Sequence, residues 1–154
     1  MKYDTVAYEK LKQDLRIDRD ALDEECITQP HSYFHASEAH VLALSRRDQL
    51  KHGLEVTVAE LDKDIRDAMA ANGEKMTEAL VKAQITREQD YQRAHQNYLN
   101  SCLEADKWEA LKNAYRGRAD MLKSLVGLFQ SGYFGEVTGS AERREARERV
   151  SNKR

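Results

Sequence analysis

The residues best suited to coordination chemistry are His31 and His35, four apart, with Cys26 and His40 nearby. Imidazole and thiolate are common zinc ligands, and a spacing of four puts two of them on one helix face. A structural zinc site needs four well-placed ligands, however, and no second pair of matching spacing follows. The two histidines therefore read as polar or capping groups at the start of a helix, and neither a metal nor another cofactor is expected. Cys26 and Cys102 are the only cysteines and fall within apolar patterns, as small buried hydrophobes do. Glycine-rich phosphate loops, GxSxG elbows and HExxH pairs are all missing from the sequence. The carboxylates are scattered as solvating charges, so no catalytic residue is assigned and an enzyme is not expected.

The basic residues offer a different chemistry. Lys63 and Arg66, then Lys75, Lys82 and Arg87, cluster around a turn between two long apolar stripes. On one chain such a group is an ordinary solvated face, but repeated around the axis of an oligomer it becomes a belt able to track phosphates. A second cationic group, Arg143, Arg144 and Arg147, lies in a charged tail, where Glu142, Glu145 and Glu148 blunt its field. The formal net charge is only −2 but is unevenly placed. Residues 1–74 carry ten Lys/Arg against sixteen Asp/Glu, residues 75–136 nine against eight, and residues 137–154 six against three. The basic end can thus meet a polyanion or the acidic half of a neighbouring subunit.

Helices must carry these groups. Leu54, Val58, Leu61, Ile65 and Ala68 follow steps of four and three, and so do residues from Tyr91 through Trp108, Leu122 and Phe129. The fold class expected is all-α: short N-terminal helices, then a long antiparallel helical hairpin that assembles into an oligomer. Pro30 suits the first turn of a helix, which divides the chain into short helices over 1–29, a hairpin over 30–136 and a flexible charged tail over 137–154. Asp18 reads as an N-cap, Asn72-Gly73 as a helix stop, and Thr77 as the cap of a short helix over 78–85, with Met76 and Val81 as a hydrophobic staple. Thr86-Arg87-Glu88-Gln89 matches a capping box and opens a second arm over 87–131. Within that arm Arg116-Gly117-Arg118 suggests a close helix contact with flanking salt bridges. Two helices have too little core to hide both stripes, which makes Leu54, Leu61, Trp108, Leu122 and Phe129 the expected oligomer interface. With no signal-peptide pattern and no run of eighteen apolar residues, a cytoplasmic protein without membrane contact is expected.

The order of these features resembles the UvsY-like phage recombination mediators. Leu11-Lys12-Gln13-Asp14-Leu15-Arg16-Ile17-Asp18, then Leu22-Asp23-Glu24-Glu25, then Pro30 with Tyr33 and Phe34, then a long helix, a glycine turn and a second long helix carry the likeness across about residues 9–130. The tail from Val137 onward is not covered. The resemblance implies a small helical protein that forms a closed ring, of six or seven subunits by analogy, in the host bacterial cytoplasm. It also implies binding of single-stranded DNA without sequence preference, and contacts with a RecA-like recombinase and single-strand-binding protein. Lys63 and Arg66 match the basic pair that the family carries late in its first long helix, here set among Asp62, Asp64 and Asp67. The rival reading is a helical protein-interaction module, a scaffold or an inhibitor of a host protein, working through its acidic first half. The sequence pI of about 6.2 favours that rival.

Overall fold

The computed structural model describes residues 5–73 and 77–133. Four helices and no strand are found among them: α1 Thr5–Gln13, α2 Leu22–Ala71, α3 Glu78–Ile85 and α4 Gln89–Gln130. A single 3-10 turn, Arg19–Ala21, leads into α2, and its N-cap is Asp18, whose carboxylate accepts from Asp20 N at 2.9 Å. At 1.5 Å per residue the 50 residues of α2 reach about 75 Å and the 42 of α4 about 63 Å. Contacts pair residue 29 with 115, residue 40 with 112 and residue 46 with 104, so α2 and α4 run antiparallel.

Helix α2 does not break at Pro30, as its sequence suggests, but runs eight residues further toward the N-terminus. A proline inside a helix removes one backbone bond and costs about 3 kcal/mol in isolation. Neighbouring bonds offset that cost here. Thr28 Oγ1 donates to the Glu24 carbonyl at 3.0 Å, and the side chain of Gln29 donates to the Tyr115 carbonyl at 2.7 Å, fastening this stretch to α4. Acidic Asp23, Glu24 and Glu25 also occupy the first turn, where they favour the positive end of the helix dipole.

Further along, the stop at Asn72-Gly73 occurs as expected: Asn72 N donates to Ala68 O and Gly73 takes φ +67°, a left-handed conformation that glycine adopts without strain. Thr77 caps α3 by accepting from Leu80 N at 3.3 Å. The staple partner Met76 lies outside the described residues. The capping box at Thr86 does not form. Thr86 closes α3 instead, with its hydroxyl donating to Ala83 O, and α4 starts after Glu88, whose side chain makes no cap bond.

Two cores sit at opposite ends of the α2–α4 pair. At one, Ala36 and Ala43 of α2 face Ala105, Trp108, Leu111 and Tyr115 of α4, with Tyr8, Leu11 and Leu15 packed over them. The alanines let the helices approach, and the indole of Trp108 fills the space beside α1, edge-on to Tyr8 with ring centroids 5.2 Å apart. At the other, Met69, Val81 and Ile85 pack with Val58, Leu61, Ile65 and Tyr91. A third helix therefore completes each end: α1 at the first, α3 at the second.

Candidate nucleic-acid interface

The end built from α2, α3 and α4 carries four of the eight cations read from the sequence, and local chemistry divides them into two kinds. Arg66 is held. Its Nε donates to Asp62 Oδ2 at 2.7 Å, one helical turn earlier, and its Nη2 donates to both Glu78 oxygens at 2.8 and 2.9 Å. These bonds raise the Arg66 pKa, and the guanidinium in turn lowers that of Asp62. Arg66 thus bridges α2 to the first residue of α3, and its charge is matched by two carboxylates.

Lys63, Lys82 and Arg87 are the other kind. All three are exposed, and among the described residues no salt bridge engages them. Lys63 stands one turn before Arg66 on α2, Lys82 one turn after Glu78 on α3, and Arg87 in the connection between α3 and α4. Because the Arg66–Glu78 bridge joins the two helices, it places Lys63 and Lys82 at the same end of the rod. The sequence reasoning missed Glu78 as a partner. The Asp62–Arg66 spacing of four was the available signal for half of the arrangement. Lys75, Arg143, Arg144 and Arg147 lie outside the described residues.

The residues read as an oligomer interface are not brought together on one surface. Trp108 and Leu122 are 5 % and 3 % exposed and belong to the chain's own packing, because α1 and α2 cover that side of α4. Leu54 and Leu61 are half-buried between the arms, whereas Phe129 is 64 % exposed near the end of α4. Large apolar side chains that do face outward include Ile27, Phe34 and Val41, seven residues apart on α2, and Met121 on α4.

At the α1 end, Arg118 is buried and forms the densest polar cluster. Its Nη1 donates to Gln29 Oε1 at 2.7 Å, its Nε to Leu15 O and its Nη2 to Arg16 O, both at 3.3 Å, and its Nη2 also meets Glu25. Glu25 accepts in addition from Asp18 N at 2.8 Å, and the buried Tyr115 hydroxyl donates to Leu11 O at 2.7 Å. Burial is the main cause of the raised Tyr115 pKa. The segments Leu11–Asp18 and Leu22–Glu25 are therefore the ones that Arg118 and Tyr115 hold. The close helix contact expected at Gly117 is not present, since a Cβ there would meet nothing within 4 Å; the buried group of that stretch is Arg118, while Arg116 is exposed.

Cys26 and His40 lie apart from the His31–His35 pair. Cys26 lines a cavity of about 410 Å³ beside Pro30 and Leu122, between the start of α2 and the end of α4. His40 faces α4, with Lys112 Nζ donating to its Nδ1 at 3.1 Å, and burial together with that ammonium lowers its pKa. His31 and His35 remain exposed together on α2. Among the described residues no group of three or more His, Cys, Asp or Glu is placed to hold a metal ion. No described helix is long and apolar enough to cross a membrane. Comparison with protein-family models, with curated proteins and with solved structures yields no match.

Proposed function

We propose that this chain is an oligomeric recombination mediator. In this reading it binds single-stranded DNA without sequence preference and assists the loading of a RecA-like recombinase onto strands covered by single-strand-binding protein. The observation that carries the reading is the exposure of Lys63, Lys82 and Arg87 at one end of a long helical rod, beside an arginine whose charge is already matched. Arg66 positions α3 on α2, and phosphate contact falls to the three exposed cations. Each subunit's contact is weak, and repetition in an oligomer raises the effective concentration enough to make the whole tight. The likeness of residues 9–130 to the UvsY-like mediators supports the same reading. No catalytic residue is required.

Anisotropy of a labelled single-stranded oligonucleotide, measured across salt concentrations, tests it. Changing Lys63, Lys82 and Arg87 together to alanine is expected to weaken binding to all sequences alike and to flatten the salt dependence. Equal binding by the variant overturns this placement of the DNA site. Failure of the wild-type chain to bind favours the second reading, a helical protein-interaction module, for which the exposed Phe34, Val41, Met121 and Phe129 are the specific observation. Self-association is expected under either reading, and light scattering at micromolar concentration giving a monomer mass would remove it from both.

A further inference from the structure

We propose that His31 and His35 form a bidentate site on the outer face of α2 for a divalent transition-metal ion that favours imidazole, such as zinc. The argument begins with the continuity of α2 through Pro30. It puts the two histidines in the body of a helix, where residues four apart face the same way, and not in an irregular first turn. Their Nε2 atoms stand 3.1 Å apart, with ring centroids at 4.3 Å. A zinc ion sits about 2.0–2.1 Å from each imidazole nitrogen, so two ligand atoms at this separation subtend roughly 98° at the metal. That lies between the square and tetrahedral values. For both Nε2 atoms to bind one ion, the ring that carries its proton at Nε2 must shift that proton to its own Nδ1, so that both rings are protonated at Nδ1 and both Nε2 lone pairs are free for the metal.

The surroundings suit such an ion. Glu38 Oε2 lies 4.0 Å from His35 Nδ1, too far for a hydrogen bond, but its negative charge favours a cation bound next to that ring. Phe34 stands edge-on to His35, with centroids 6.3 Å apart. Both histidines are exposed, so water fills the remaining coordination positions without opening the core. Cys26 and His40 are absent from this set because the groove beside Pro30 takes the first and Lys112 the second. The site is independent of the DNA reading.

Zinc titrated into the full chain against a chromophoric chelator is expected to show one saturable ion per chain. His31→Ala and His35→Ala are each expected to weaken it roughly 100-fold, the loss that follows when a tethered second ligand is removed. Glu38→Gln is expected to weaken it less than either histidine change, because only a nearby, solvent-screened charge is lost. Variants Cys26→Ser, His52→Ala and His95→Ala are expected to bind as the wild type does. Because the mutated side chains are exposed, helicity by circular dichroism should not change, and imidazole nitrogen spectra provide a check that needs no variant: the metal should perturb Nε2 of His31 and His35 together. Absence of saturable binding, binding unchanged in both alanine variants, or perturbation of other histidines instead would each overturn the site.

Discussion

The two ends of the α2–α4 rod each hold a third helix, and they do so by opposite means. At the α1 end a buried arginine joins three segments distant in sequence: Arg118 bonds to Leu15, Arg16, Glu25 and Gln29 beneath a core of Trp108 and Tyr115. At the α3 end a solvent-facing arginine joins Asp62 to Glu78 over a smaller core of Met69, Val81 and Ile85. Arg118 holds the segment after α1 through backbone carbonyls and α2 through Glu25, Arg66 holds α3 through Glu78, and burial makes the two arginines unequal. Removing one partner of a buried pair strands the other in a medium that cannot solvate it, whereas water solvates an exposed carboxylate that has lost its arginine. Loss of its arginine therefore costs the α1 end more, and the α3 end is the less tightly fixed of the two.

The sharpest way to break this comparison is to remove each arginine in turn. Arg118→Met is expected to destabilise the fold by about 3–5 kcal/mol in urea denaturation, because Glu25 and two backbone carbonyls lose their donor. Arg66→Ala is expected to leave the global urea midpoint nearly in place while speeding amide exchange in α3. Comparable losses at the two sites would show that both ends are equally fixed. Apolar truncations should follow the same order: about 3–5 kcal/mol for Trp108→Ala, and about 2–3 kcal/mol for Ile85→Ala, where the smaller core collapses more easily around the deletion.

A gain of stability sharpens the picture of α4. Gly117 lies inside that helix and a Cβ at this position would meet nothing within 4 Å, so Gly117→Ala is expected to stabilise by up to about 1 kcal/mol. A loss there would mean that another chain approaches closely at Gly117. The smallest effect concerns pH and falls between the two ends. Burial and the Lys112 ammonium, with Arg47 further off, hold the His40 pKa below its ordinary value, and Glu109 opposes them only in part. The unfolded chain therefore binds a proton before the folded one does. His40 contributes stability that is complete above its unfolded pKa near 6.5 and is lost as pH falls. Urea midpoints from pH 7.5 to 5 should decline in the wild-type chain and decline less in His40→Gln.

Much of this architecture was legible in the sequence, for reasons that local patterns explain. Apolar steps of three and four marked both long helices, Thr77 and Asn72-Gly73 marked ends whose chemistry is local, and α3 lies where the caps place it. The misreadings have local causes as well. Pro30 carries a strong breaking signal, yet bonds from Gln29 to α4 keep the helix intact across it; Thr86 was a plausible cap, yet its hydroxyl closes the preceding helix. The Arg116-Gly117-Arg118 run signalled salt bridges here, and Arg118 forms one with Glu25, but its partners at 15, 16, 25 and 29 could not be read because they meet it only through the fold. Among the cation candidates, sequence could place Lys63, Arg66 and Lys82 near one turn and could signal the Asp62–Arg66 pair by its spacing, but the Glu78 contact that completes the match of Arg66 comes only from the fold.

Amide hydrogen exchange of the full chain, with and without a single-stranded oligonucleotide, tests the central claim most directly. Slow exchange at residues 108–118 in both states is expected, with new protection on DNA addition confined to segments around Lys63 and Lys82–Arg87. Protection that appears at the α1 end, or new protection absent from the α3 end under conditions where DNA is bound, would contradict the account.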